Sequence, residues 1–110
     1  MTDRELNTGT AQPRTISGGA IEKIGKFSYY SIDTEASAAS DDLDTISGGN
    51  EGDLIFIKAA NSARTVVLKN GTGNIKTEGS VNLSMDNTED LAILHFDGTS
   101  WKAALWNIGA

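Results

Sequence analysis

The chain has 110 residues with a mass of 11.6 kDa, the size of one small domain with a single core. With no cysteine, one histidine, one proline and 12 glycines, it excludes disulfide scaffolds, zinc fingers and thiol chemistry. A net charge of −6 argues against non-specific attraction to nucleic-acid phosphates, and no apolar run approaches the ~18–20 residues of a membrane span.

Residues 1–14 (MTDRELNTGTAQPR) are polar and lack an apolar period, so they are expected to form a flexible N-terminal arm that precedes a single all-β domain over 15–110. No basic segment followed by an apolar one opens the chain, so no secretory leader is expected. From Thr15 the pattern changes. Residues 20–24 (AIEKI) form a short apolar run, and 26–32 (KFSYYSI) alternate aromatics with serines, a β-forming stretch. A small-residue loop is expected over 34–42, followed by turn signals at Gly48-Gly49-Asn50 and Glu51-Gly52-Asp53. Residues 53–59 (DLIFIKA) place Leu54, Phe56 and Lys58 on one face and Ile55, Ile57 and Ala59 on the other, as a central strand does. Strands are also expected at 63–69, 75–77, 81–85, within 88–96 and at 101–106. Asn70-Gly71-Thr72-Gly73-Asn74 and Asp97-Gly98-Thr99-Ser100 supply turns.

No stretch carries a convincing helical period, and turn signals recur every 6–12 residues. The expected fold is therefore all-β, a small antiparallel sandwich or barrel-like module. One string, Thr15-Ile16-Ser17-Gly18-Gly19, recurs as Thr45-Ile46-Ser47-Gly48-Gly49; it reads either as reuse of one turn or as a duplication.

Candidate chemistry is sparse. Seven acids (Asp33, Glu35, Asp41, Asp42, Asp44, Glu51 and Asp53) lie between Lys26 and Lys58 with no basic residue among them. They read as a solvated loop, a docking surface or a cation site at Asp41, Asp42 and Asp44, although these three lack the spacing of a calcium loop. His95 shares a strand face with Leu91 and Ile93 and reads as a packing histidine, since a general base would need a nucleophile or carboxylate brought to it by folding. Asp86, Glu89 and Asp90 are paired carboxylates of the kind that serve glycoside hydrolysis, but in an Asn/Thr-rich turn they read as solvation. No serine lies in a nucleophile elbow and no glycine pair forms a phosphate cradle, so no enzyme, cofactor or metal is expected. Trp101 and Trp106 are five apart, and Tyr29 and Tyr30 are adjacent. Alternation puts each pair on opposite faces, one member in the core and the other at a subunit contact or a glycan-stacking surface.

A series of short motifs then carries a resemblance. Tyr30-Ser31-Ile32-Asp33-Thr34-Glu35 comes first. Asp41-Asp42-Leu43-Asp44-Thr45-Ile46-Ser47-Gly48-Gly49 and Glu51-Gly52-Asp53-Leu54-Ile55 follow. Arg64-Thr65-Val66-Val67-Leu68-Lys69-Asn70-Gly71-Thr72-Gly73-Asn74-Ile75 comes next, and Asp97-Gly98-Thr99-Ser100-Trp101 closes the series. In this order, over residues 28–106, they resemble the β-modules of tailed-bacteriophage head-decoration, head-fibre and tail-fibre proteins.

The resemblance implies a virion structural protein, all-β and trimeric, with no catalytic residue. Because the chain carries no fibre shaft, a capsid decoration (cement) protein is the expected member. It would be made in the bacterial host cytoplasm and carried on the capsid surface as a homotrimer bound to the major capsid protein. Arg4 and Arg14 of the arm are the expected capsid or inter-subunit contacts. Tyr29, Tyr30, Trp101 and Trp106 are the expected interface or glycan-binding aromatics. Neither nucleic acid nor a membrane is an expected partner. The alternative is a tail-fibre module that recognises a host-surface carbohydrate.

Overall fold

Short β-forming runs interrupted by glycine, asparagine and aspartate give short strands, because each interruption favours a turn before a strand can lengthen. The computed structural model describes residues 7–109. Its strands are β1 (Gln12–Thr15), β2 (Ala20–Glu22), β3 (Tyr29–Asp33), β4 (Ser40–Leu43), β5 (Thr45–Ser47) and β6 (Leu54–Ala59). They continue with β7 (Thr65–Leu68), β8 (Ile75–Thr77), β9 (Leu83–Met85), β10 (Leu91–Phe96) and β11 (Trp101–Trp106). The only helical segments among the described residues are two single 3₁₀ turns, Glu35–Ser37 and Glu78–Ser80.

The strands coil. β1, β3 and β6 lie side by side in parallel, as do β2 with β5 and β4 with β7. Ala20 stands opposite Thr45 and Ser40 opposite Thr65, 25 residues on in both cases, so each parallel partner is one turn of the chain further along. The result is a short three-sided solenoid. Its walls are β1-β3-β6, β2-β5 and β4-β7. After the third coil the direction reverses. β9 runs antiparallel to β7 and β10 antiparallel to β6, and β11 returns from β10 through a hairpin. β8 then joins the far side of β11 in parallel, giving a large sheet of order β1-β3-β6-β10-β11-β8.

The all-β expectation is met, but the antiparallel arrangement is not: among the described residues five of the eight strand pairings are parallel. The repeated Thr-Ile-Ser-Gly-Gly string is not a structural repeat. Its second copy opens β5 opposite Ala20, while the first copy ends β1 and forms the turn into β2.

The interior is a stack of like on like. Ile21 lies against Ile46, Leu43 against Leu68, and Val66 against Met85. In the large sheet Tyr30, Ile57 and Ala92 form one inward row, and Ile55, Leu94 and Ala103 another. These side chains are all buried. Each large one contributes ~1.5–3 kcal/mol by leaving water.

Where the second wall has no third strand, Asn74 stands in for one. The Ile46 N–H donates to Asn74 Oδ1 at 2.9 Å, and Asn74 Nδ2 donates to the Ile46 carbonyl at 2.8 Å. The Asn74 backbone N–H reaches the Asp44 carbonyl at 3.0 Å, and its own carbonyl accepts from the Trp101 N–H at 2.7 Å. Gly73 must be glycine here, since a Cβ would overlap the Asp44 carbonyl.

The arm is shorter than residues 1–14. Gln12 and Pro13 already pair with β3, and Arg14 lies in β1 opposite Ile32. The Ile16 N–H donates to the Asp33 carbonyl, so by alternation Arg14 points its N–H at β3 and Pro13 occupies an outward position. Having no N–H, Pro13 blunts that edge against a further strand.

Candidate functional site: the outer face of the large sheet

Strand pairing fixes which side chains share the outside of the large sheet. Tyr29, Phe56, Ile93 and Ala104 stand directly opposite one another across β3, β6, β10 and β11, an apolar row through four strands. On one side of it, Leu91 faces Trp106. On the other side comes a second row, in which Leu54, His95, Lys102 and Lys76 cross β6, β10, β11 and β8. Adjacent members of a row are ~4.8 Å apart, the strand spacing of a sheet. The first row is half-buried, while Leu54 is 36% and Trp106 48% exposed. A shallow groove of about 470 Å³ runs over Leu54, Ile93, His95, Ala104 and the two lysines. Thr8, Tyr29, Phe56 and Leu91 line a neighbouring depression of about 300 Å³.

Beyond Leu54 the apolar surface continues into the loop before β3, where Ile24 is 42% and Phe27 47% exposed. Leu54 and Lys26 share a depression with that loop.

The expected aromatic residues divide as alternation requires. Tyr29 and Trp106 belong to the outer face. Trp101 and Tyr30 are completely buried and can take part in no contact with a partner. Trp101 Nε1 donates to the Ile46 carbonyl at 3.1 Å, and its ring packs on Phe96 with centroids 4.9 Å apart. The Tyr30 hydroxyl donates to the Phe27 carbonyl at 2.7 Å and accepts from the Ile24 N–H at 3.1 Å. Burial raises its pKa above the usual 10.0, against the lowering effects of the Ile24 hydrogen bond and the Arg14 charge.

Arg14, expected on a free arm, is half-buried on the inward side of the edge strand, and its Nε is buried with no hydrogen-bond partner among the described residues. Arg4 lies outside the described residues.

His95 is exposed on the outer face, so it is not the packing histidine that its apolar neighbours suggested. Its alternation partners Leu91 and Ile93 are as expected; the face they share is simply the one turned away from the core. The carboxylates resolve individually. Asp90 is 1% exposed and structural, accepting from the Gly109 N–H at 2.9 Å and the Asp86 N–H at 3.3 Å, which ties the end of the chain to the turn before β10. Asp86 and Glu89 are exposed in that turn. Asp41 accepts from the Glu35 and Asp42 N–H groups, Asp42 lies 3.8 Å from Lys69, and Asp44 accepts from the Thr45 hydroxyl. The three do not converge. Among the described residues no group of three or more His, Cys, Asp or Glu side chains could hold a metal ion, and no helix is long and apolar enough to cross a membrane.

At the end of the second row, the hairpin turn draws one lysine aside. Asp97 Oδ1 accepts from the Thr99 and Ser100 N–H groups at 2.9 and 2.8 Å, and Oδ2 from Lys102 Nζ at 2.5 Å. The lysine hydrogen bond, followed by the two backbone N–H groups, holds the Asp97 carboxyl far below the ordinary carboxylate range.

Sequence reasoning missed Phe56, Ile93, Lys76 and Lys102 as members of a surface. The signal is present in LIFIKA and LAILHF, which are apolar on both faces, a pattern they share with strands buried on both sides. What the face can do chemically is bind: an apolar centre that gains by shedding water, with a cationic margin that favours an anionic neighbour. Compared with known proteins, the chain matches no protein family, no curated protein and no solved structure.

Proposed function

We propose that this chain is a structural subunit of a bacteriophage virion, a capsid decoration protein that binds the head surface as a trimer and stabilises it. The ordered motifs that resemble phage β-modules suggest the virion. The observation that carries the reading is the half-buried row of Tyr29, Phe56, Ile93 and Ala104 on the outer face of the sheet, which has the composition of an interface core. Contact with the major capsid protein and between copies would share this face and the segment before β1.

The test is co-sedimentation of purified chain with phage heads stripped of it. Saturable binding that Phe56→Ser or Ile93→Ser weakens at least tenfold, about 1.4 kcal/mol, supports the role. Heads that bind none of the chain at any concentration refute it. Removing residues 1–11 leaves β1 whole and tests the arm separately: unchanged occupancy would remove the arm from the contact.

A tail-fibre module that holds a host glycan is the second reading. It rests on Trp106, whose ring is open to solvent beside Leu91. Binding on a glycan array that Trp106→Ala abolishes would favour it over the decoration role.

A further inference from the structure

The outer face of the large sheet is positive in a chain whose net charge is −6. Lys58, Lys76 and Lys102 stand on its strands with His95, and Lys26 lies in the loop that extends it past Leu54. The one acid on the same face of those strands, Asp33 at the far end of β3, is held by Arg64 at 3.2 Å; Glu78 lines the groove, and Asp53, which lines the depression with Lys26, lies 3.6 Å from Lys23. The exposed acids Glu22, Glu35, Asp42, Glu51, Asp86 and Glu89 all belong to turns and to the other walls.

Lys76 is directly opposite Lys102. Like charges in that register destabilise a sheet. Asp97 neutralises one of them; among the described residues neither Lys76 nor Lys58 has an ion pair. Their placement adds no ion pair to the described fold. It does suit a negative surface laid over the apolar row.

We infer that this face docks head-to-tail against the acid-bearing turns of a second copy of the same chain, where Glu35, Glu51, Asp86 and Glu89 are exposed, an inference that rests on the self-assembly proposed above. The chain is its own acidic partner. Packing two such faces against each other would set cation against cation, and pairing through the β1 edge is obstructed by Pro13. A contact between two different surfaces closes into a ring when its rotation divides the circle, and a three-membered ring is a trimer.

The experiment measures the mass of the full chain by sedimentation equilibrium at micromolar concentration, with salt raised from about 0.1 to 1 M, over which the screening length falls from ~10 to ~3 Å. Head-to-tail docking predicts an assembly that weakens as salt rises. It also predicts at least tenfold weaker association for the double reversal Lys58→Glu, Lys76→Glu, and dissociation by Ile93→Ser. Face-to-face docking predicts the opposite sign for salt and for the charge reversal. A monomer under all conditions, or an assembly that salt or the reversal strengthens, overturns the inference. Circular dichroism and melting of each variant establish that it folds, and among the described residues Lys58 and Lys76 have no ion pair to lose. A chain that binds heads yet stays monomeric would end this contact and leave the virion role standing. One that assembles in this way but ignores heads would do the reverse.

Discussion

Asn74→Ala is the most direct probe of how the solenoid is held together. Ile46, at 1% exposure, has both its backbone groups bonded to the Asn74 side chain. Truncation leaves the two groups in different states. The Ile46 carbonyl keeps Trp101 Nε1 at 3.1 Å, so that side loses one of two donors, at ~0.5–1.5 kcal/mol. The Ile46 N–H keeps nothing, and an unsatisfied buried donor costs ~1–3 kcal/mol. The sum is roughly 2–4 kcal/mol, a large fraction of the ~5–15 kcal/mol that holds a domain folded. Asn74→Asp separates the halves, because a carboxylate still accepts from the Ile46 N–H but sets an oxygen against the Ile46 carbonyl. Urea titration should show a lower midpoint for both variants with the slope unchanged. Hydrogen exchange at the Ile46 amide should lose protection in Asn74→Ala and keep more of it in Asn74→Asp. A loss below ~0.5 kcal/mol for Asn74→Ala, the range of an ordinary surface substitution, would refute the idea that this side chain substitutes for a strand.

Three further outcomes follow from the same geometry. A Cβ on Gly49 would lie 2.6 Å from Cζ2 of Trp101, so Gly49→Ala should cost ~1–3 kcal/mol by overpacking. That cost should shrink by at least ~0.5 kcal/mol in a Trp101→Phe background, and strictly additive urea midpoints would contradict the contact. The Asp97 carboxyl is depressed by Lys102 and the Thr99 and Ser100 N–H groups, so its stabilising contribution is fully present above the ordinary carboxylate pKa. It is lost only as pH falls through the lowered folded value. In a carbon-detected NMR titration the Asp97 midpoint should therefore lie below the ordinary carboxylate range, and Lys102→Met should move it upward; an unmoved midpoint would count against the pair. Tyr30 has the opposite sign: with its folded pKa raised by burial, its contribution is intact below 10.0 and is lost as pH rises through the folded value. Denaturation on the alkaline side of 10.0 should be less steeply pH-dependent in Tyr30→Phe than in the wild type.

Individual strands were legible in the sequence because alternation and turn residues act locally. β6, β8, β10 and β11 lie where the apolar pattern puts them, and Asp97-Gly98-Thr99-Ser100 makes the expected hairpin. How the strands are arranged was not legible. Glycine and asparagine clusters mark a change of direction without saying whether the next strand pairs back beside the last or moves to another wall. Asn70 to Asn74 reads as a hairpin turn, yet it carries the chain from β7 in one sheet to β8 in another. The loop expected over 34–42 takes in most of β4, and no pattern marks β5, because Ser40-Asp41-Asp42 and Thr45-Ile46-Ser47 are short and polar. They are strands because parallel neighbours supply their hydrogen bonds and only Leu43 and Ile46 need the core. Asn74 carries no pattern at all, since its role depends on a residue 28 positions away.

The solenoid also changes what the two-faced apolar strands mean. In a sandwich a strand can be covered on both sides by its own chain, and LIFIKA then needs no partner. In a coil each wall has a single inside. Ile55, Ile57 and Ala59 fill it from β6, and Ala92 and Leu94 from β10. Nothing within the described coil can enclose Phe56 and Ile93 as well, because they sit on the side that the coil turns away from its axis. Apolar residues at those positions are the feature on which the proposed docking surface rests. Lys76 and Lys102 stand in register beside them, two cations on one face of an acidic protein.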